Sequence, residues 1–524
     1  MPVLYFFFPA MVSGLLLTLS FPDADLYYLG FIALAPLIVS LSTLTARQGF
    51  IAGLAAGFIH FITLIYWIVP TLCTFGGLHP VPAVAALILL CLYLSLYPAL
   101  FAFGLNKLAP HPALMPLAAA ALWTGLEWVR SCLFTGFPWG LLGYSQAGNR
   151  WMIQMADVTG VYGVSFLLVL CSAMTAMGWQ YIMAKQRSGY PGNSASGIPF
   201  FIGFGYTLML LAAAYGYAMF RLPDLEKKVV QAPEIRLAII QGNIAQGMKW
   251  DMAFRKNTIE KYGVMSLEAA RLQTDLIIWP ETALPFYYGQ NTLLSNQVDD
   301  YIRQASTHFL IGTPAVDTSH DPVRYYNRVL MLTPLALPEG SYDKTHLVPF
   351  GEYVPFQDLL FFIEKLTAEA GNFSGGEPVF TPLAFKTHHT GVLICFEILF
   401  PDISRQFVKK GADLLTTVTN DAWFGHTSAA AQHFAVAVFR AVENRRSLAR
   451  AANTGISGFI DPTGRVFDTT ALFTDAVIVR SMPALTHISL YTRYGDLFTG
   501  ICLIALGMGF VVKIRQYFKR RYQP

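Results

Sequence analysis

The feature that most constrains this chain is the recurrence of long apolar runs through its first 220 residues. They fall near 3–21, 26–43, 50–73, 81–105, 112–130, 157–183 and 198–220, and an eighth lies near 496–513. At about 1.5 Å of rise per helical residue, each run is of membrane-spanning length. Pro36, Pro98 and Pro116 interrupt some of them, an interruption that lipid-embedded helices tolerate better than soluble ones. Composition agrees, with 54% hydrophobic residues and only 13% charged, the balance of a membrane protein.

Charge placement says more than net charge. A balance of +4 over 524 residues gives no reason to invoke nucleic acid. With the N-terminus in the cytoplasm, the cytoplasmic loops hold Arg47, Lys107, Lys185 and Arg187, and the tail holds Lys513, Arg515, Lys519, Arg520 and Arg521. Loops Asp23–Asp25 and Phe75–Pro80, on the other face, carry no Lys or Arg. Arg130, Arg150, Arg221, Lys227 and Lys228 count against this orientation, but the tail cluster outweighs them. Seven spans then place the large polar segment outside the cytoplasm, and the eighth returns the tail. The first run lacks both a basic leader and a small-residue cleavage site, so it is expected to be a retained helix, not a removed signal peptide.

From about Arg221 to Arg493 the pattern changes. Short strand-like runs such as EIRLAIIQGNI, TDLIIWPE, TGVLICF and ADLLTTVTND alternate with helical stretches, for example Met252–Gln273 and Thr427–Ala451. That alternation predicts a layered α/β domain. The expected division is 1–220 for a seven-helix transmembrane region, 221–494 for a catalytic domain, and 495–524 for an eighth span with a basic tail.

Of six cysteines, Cys73, Cys91, Cys171 and Cys502 lie inside apolar runs and Cys132 lies at the edge of one. Only Cys395 falls in the polar segment, where the buried-strand pattern GVLI meets Glu397. A strand ending in a tight turn before a helix exposes the turn side chain, and the helix dipole then favours a thiolate. The competing reading is a small apolar core residue. Two further strand ends bear on it: LIIWPE leaves Glu281 at its tip, and Lys344 precedes a Pro/Gly-punctuated loop carrying Glu352. Taken singly, Glu281 reads as a helix cap and Lys344 as a solvated loop residue. Together, an acid, an amine and a thiol suffice for acyl transfer as base, oxyanion stabiliser and nucleophile. His346, His388, His389, His426 and His433 leave a Cys–His pair as the local competitor.

In the order Glu281, Lys344, Cys395 the segment resembles the nitrilase superfamily. The whole chain resembles the apolipoprotein N-acyltransferases of bacterial envelopes, through QGNIAQGMKWD, IIWPETA, YDKTHLVPFGEYVP, ICFE, TNDAWFG and NTGISGFIDPTG. The resemblance implies a multi-span helical bundle carrying an extracytoplasmic α/β nitrilase-like domain, an αββα sandwich. It implies transfer of a fatty acyl chain from a phospholipid to the α-amine of an S-diacylglyceryl-cysteine apolipoprotein, through a thioacyl-enzyme, in the bacterial inner membrane. Glu281 is then the base, Cys395 the nucleophile, and Lys344 the oxyanion donor with the backbone N–H of Phe396. Glu352 and Glu397 either orient Lys344 or act as caps and structural ion pairs. Members of the family often carry tyrosine after the nucleophile, where this chain has Phe396.

Trp139 and Trp250 are candidates for lining the lipid approach; Trp139 reads equally as an interfacial anchor. Glu127 and Arg130 either pair or meet a headgroup. No cofactor, metal or nucleic acid is expected, and the expected state is a monomer. The alternatives are a membrane-tethered amidase, which would use the same triad, a transporter with a regulatory domain, for which the spans lack a coupling site, and a catalytically dead binding scaffold, against which stands the presence of Glu281, Lys344 and Cys395.

Overall fold

The computed structural model describes residues 2–188, 197–249, 252–353 and 373–522. It divides into a helical unit (Met1–Tyr66, Val84–Arg221, Tyr494–Pro524) and an α/β unit (Trp67–Ala83, Leu222–Arg493).

In the helical unit, Pro2–Leu19 packs on Ala46–Leu64, and Met115–Cys132 packs on both Ala156–Ser188 and Leu497–Tyr522. Among the described residues, five helices are long and apolar enough to cross a membrane: Ala46–Leu64, Pro80–Leu108, Met152–Gln186, Ile198–Gln231 and Leu497–Arg515. The run expected at 26–43 is not one helix. It forms a 3₁₀ turn, Tyr27–Phe31, followed by the short helix Ala35–Leu41, whose start suits Pro36 because a first-turn proline withholds only an N–H that would have no partner. The run at 50–73 also divides. Ala46–Leu64 opens on a Thr45–Gln48 capping box, and a separate helix, Ile68–Thr74, follows. Pro70 has no N–H to offer the carbonyl four residues back, which explains the break. The run at 198–220 continues as helix to Gln231, with Lys228 and Asp224 paired at 2.8 Å across one turn.

The α/β unit contains twelve described strands: β1 (Glu234–Gln241), β2 (Leu276–Ile278), β3 (His308–Asp317), β4 (Arg324–Leu332), β5 (Pro338–Asp343), β6 (Leu383–Phe385), β7 (His388–Ile394), β8 (Leu414–Thr419), β9 (Ser447–Ala452), β10 (Gly458–Ile460), β11 (Val466–Phe467) and β12 (Ala476–Pro483). They form two six-stranded sheets, ordered β12-β1-β2-β3-β4-β5 and β11-β10-β9-β8-β7-β6. Each has a parallel centre, β1-β2-β3 or β7-β8-β9, with antiparallel flanks. Helix Arg255–Ala270 packs on the first sheet and on Thr292–Ala305; helices Pro401–Lys409 and Ala429–Asn444 pack on the second. Contacts of β1 with β9 and of β5 with β6 join the sheets. This is the expected α/β nitrilase-like architecture.

The parallel strands are buried on both faces, which is why they read as continuous apolar runs. Beyond β2, Trp279 is fully buried, stacks on Tyr262 with ring centres 4.9 Å apart, and donates Nε1–H to Ser266 at 2.8 Å. Its burial fixes where the next residues, Pro280 and Glu281, emerge. The helix expected over Thr427–Ala451 stops at Asn444; Arg445 turns left-handed (φ +53°), and Ser447–Ala452 becomes β9. Pairing with β8 and β10 overrides the helix preference of SLARAA, as neighbouring strands commonly do.

Candidate active site

The site is assembled at strand ends. Glu281 follows β2, Lys344 follows β5 and Cys395 follows β7, and the carboxyl ends of parallel strands are where open α/β sheets bind ligands. The turn at Glu281 is tight: Thr282 has φ +45°, an uncommon state for a β-branched residue. Gly312 on β3 makes room for it, since a Cβ there would lie 2.4 Å from the Pro280 carbonyl oxygen and 2.8 Å from Glu281 Cα.

Glu281 is held at both oxygens. Oε1 accepts from Asn327 Nδ2 at 2.7 Å, Oε2 accepts from the Asn420 backbone N–H at 2.9 Å, and Lys344 Nζ lies 3.7 Å from Oε1. Lys344 is buried and donates to Glu352 at 2.9 Å, while Glu352 also accepts from the Val348 N–H at 2.8 Å. Burial alone would lower the lysine's pKa, but the carboxylates of Glu352 and Glu281 hold it above its ordinary value. The ammonium is therefore the stable form.

Cys395 takes a left-handed backbone (φ +53°) at the start of a 3₁₀ turn, Cys395–Leu399. Such a conformation costs roughly 1–3 kcal/mol for a residue with a Cβ and persists only where its surroundings impose it. Glu397 imposes it. Its Oε2 accepts from the Ile394 N–H at 2.8 Å, and its Oε1 accepts from Tyr342 Oη, the Thr345 N–H and hydroxyl, and the His346 N–H, at 2.7–3.1 Å. Glu397 thus ties the turn bearing Cys395 to the segment that follows Lys344. It is fully buried, which raises its pKa, against the pull of these donors and of Lys344.

The thiol is not a preformed thiolate. Burial first, and then the Glu281 charge, push the Cys395 thiol up to about 12, while Lys344 and the contact with the Thr419 hydroxyl pull the other way. Activation by a following helix dipole, expected from sequence, gives way to this arrangement: a 3₁₀ turn intervenes, and helix Pro401–Lys409 starts six residues later. An adjacent base is needed to take the proton, and the carboxylates that act on the sulfur are Glu281 and, less strongly, Asp421.

The histidine competitor resolves into a different contact. His433 Nε2 faces the backbone carbonyl of Cys395 at 3.3 Å. Phe396 is buried and packs edge-on to Phe400 (5.4 Å) and against His346 (6.0 Å). Trp250 lies outside the described residues. Trp139 belongs to the helical unit and is buried there, so its indole does not form part of an outward-facing belt. Arg130 donates to the carbonyls of Trp139 (2.8 Å) and Gly140 (3.2 Å) and lies over the Phe61 ring, while Glu127 accepts from the Leu142 N–H at 2.7 Å. These two charges fasten the loop that carries Trp139.

Sequence reasoning missed Asn327, whose amide also reaches Glu352 at 3.4 Å; within the β4 pattern YNRVLML it carries no signal of its own. It also left unexplained why three motifs travel together. Asn420 Nδ2 donates to Gln246 at 2.7 Å, Asn453 Nδ2 donates to Asn420 at 3.0 Å and to the Ile244 carbonyl at 2.8 Å, and the Ile244 N–H donates back to Asn453. QGNIAQ, TND and NTG are thereby locked together around the residue that holds Glu281.

The matches to known proteins follow this division. Residues 236–486 match the family described as Carbon-nitrogen hydrolase, so the α/β unit carries a domain of that class. Residues 13–174 match Apolipoprotein N-acyltransferase N-terminal domain. The chain is 38% identical over 495 residues to the apolipoprotein N-acyltransferase of Geobacter metallireducens, covering 94% of this chain and 92% of that one. It is 31% identical to those of Shewanella oneidensis and Chlorobaculum tepidum, covering 97% of this chain in each case and 96% and 97% of theirs. An amidase from Nesterenkonia sp. is similar in structure over 52% of this chain and 98% of its own, with 18% identity and a TM-score of 0.38. The chain belongs to the apolipoprotein N-acyltransferase family.

Proposed function

We propose that this protein is an acyltransferase that moves a fatty acyl chain from a membrane phospholipid to the N-terminal α-amine of a diacylglyceryl-cysteine lipoprotein, with Cys395 as the acyl carrier. The observation that carries this reading is the buried Glu281–Lys344–Glu352 group beside the Cys395 thiol, in a chain whose other unit is made of apolar helices. Both substrates are lipids, and drawing a free acyl chain through water would cost about 0.8 kcal/mol per CH₂.

In the first half-reaction Glu281 takes the thiol proton and the sulfur attacks the ester carbonyl. The oxyanion forms against Lys344 Nζ and the Phe396 N–H, a type of donor worth roughly 3 kcal/mol in the barrier. The intermediate collapses, the C–O bond breaks, and Glu281 returns the proton to the leaving lysophospholipid. In the second, the lipoprotein amine attacks the thioester, Glu281 accepts the amine proton, and the amide leaves while the thiol is re-formed. A positively charged Lys344 suits the oxyanion role, and a neutral resting thiol limits side reactions.

The basic tail and the Lys/Arg-free loops favour a bacterial inner membrane with the α/β unit on the periplasmic face. The test is purified protein with phospholipid and a diacylglyceryl lipopeptide, followed by mass. N-acylated lipopeptide in place of free fatty acid is expected, and an α-acetylated lipopeptide should not turn over. Mostly free fatty acid, indifferent to the blocked amine, would make Cys395 the nucleophile of a hydrolase.

A further inference from the structure

Behind the nucleophile lies a second group of buried polar side chains that the two half-reactions above do not use. β7 and β8 are parallel, with Ile394 opposite Val418, so the next residues along, Cys395 and Thr419, sit side by side at the strand ends. The Thr419 hydroxyl lies close enough to the Cys395 thiol to favour its ionisation and donates to Asp421 Oδ1 at 2.9 Å. Asp421 is buried, and its Oδ2 accepts from Arg450 Nη2 at 2.7 Å. His433 Nδ1 lies 3.3 Å from Asp421 Oδ1 and 3.1 Å from Arg450 Nη2, while its Nε2 faces the Cys395 carbonyl. Gly455 completes the enclosure, because a Cβ there would fall 2.1 Å from Asp421 Oδ2.

One hydroxyl carries one proton. While that proton goes to Asp421, Thr419 can only accept from the thiol S–H. A thiolate has no proton to give, so the bond survives deprotonation only if the hydroxyl turns and donates to sulfur. Asp421 can release it because Arg450 remains bound, and that guanidinium, against the cost of burial, holds the carboxyl well below the usual range. Burial first, and then Arg450, lower the His433 pKa against the pull of Asp421, and its Nε2 faces the Cys395 carbonyl.

The geometry points to Thr419 as a further catalytic residue, whose hydroxyl turns from Asp421 to the Cys395 sulfur as Glu281 removes the thiol proton. Asp421, Arg450 and His433 are positioning residues for it. No atom changes hands at Thr419; the thiol proton goes to Glu281 and the hydroxyl keeps its own. This inference rests on Cys395 being the nucleophile, and the charged groups facing the sulfur are Glu281, Lys344 and Asp421.

The experiment is the pH dependence of iodoacetamide alkylation at Cys395, read by peptide mass in the full-length protein, which needs neither lipid nor lipopeptide. Thr419→Val keeps the shape and removes the hydroxyl; its alkylation midpoint should move up by about one pH unit, or tenfold in rate at a fixed pH below the midpoint. Thr419→Ser should return to within about twofold of wild type. Asp421→Asn removes a negative charge near the sulfur and should move the midpoint the opposite way. An unchanged midpoint in Thr419→Val, or a Thr419→Ser profile that follows Val, overturns the proposal. Failure of acyl transfer itself would show as missing N-acylated product from wild type while these shifts remain.

Discussion

Two regions of this molecule bury charge, and they use it differently. In the helical unit, Arg130 and Glu127 offset each other's charge and are each tied to backbone groups, the carbonyls of Trp139 and Gly140 and the N–H of Leu142. In the α/β unit, Lys344 meets two carboxylates, and Glu281 is shared among Asn327, Asn420 and Lys344. Charge committed to backbone groups is a fastening. Charge balanced against other ionisable groups beside a thiol can gain or lose a proton with little movement, and burial makes each such change count.

The comparison breaks most sharply at Cys395, the proposed nucleophile. Cys395→Ala should leave no detectable turnover, while Cys132→Ala, outside the α/β unit, should retain it. Next comes Lys344. Lys344→Arg keeps the charge but not the compact donor, and should lower acylation at least ~10²–10³-fold. Lys344→Ala strands two buried carboxylates and should also cost roughly 3–5 kcal/mol in stability, measured by thermal melting.

Glu281→Gln separates proton transfer from thiolate supply. Its charge raises the thiol pKa, so neutralising it should lower that pKa and speed iodoacetamide alkylation at a given pH, even as phospholipid-dependent acylation slows ~10²–10⁴-fold. In wild type, alkylation should climb about tenfold per pH unit with no plateau near neutrality. A plateau there would mean a preformed thiolate.

The smallest effect on chemistry is expected from the other region. Arg130→Ala should lower the melting temperature, with a cost of about 3 kcal/mol for stranded carbonyls and a lost charged donor. It should leave the alkylation profile of Cys395 where it was. A shifted profile would mean that the helical charges also bear on the thiol.

Much of this was legible in the sequence, and for identifiable reasons. Glu281, Cys395 and Glu397 stand out as polar residues where an apolar strand pattern ends, and Lys344 and Glu352 because they belong to a Pro/Gly-punctuated stretch. Asn327 does not, because it lies within a strand and acts through a sheet-wide register. Thr419, Asp421, His433 and Arg450 come from β8, the turn after it, a helix and β9, and only the parallel pairing of β7, β8 and β9 brings them to one place. The helical unit was readable as a series of apolar runs, but the breaks at 32–34 and 65–67 were not. Length and hydropathy alone do not register the local effects of Pro36 and Pro70. Residues 445–451 read as helix because Ala, Arg and Leu favour it, and strand pairing prevailed.

The most direct test of the central claim uses phospholipid alone. Wild-type protein mixed with phospholipid, without lipopeptide, should gain one acyl group on the peptide containing Cys395, labile to hydroxylamine, and should release an equal amount of lysophospholipid. Adding a diacylglyceryl lipopeptide should then discharge that group onto its α-amine. An acyl group on any other residue, or lysophospholipid released only when the lipopeptide is present, would contradict a thioester carried by Cys395.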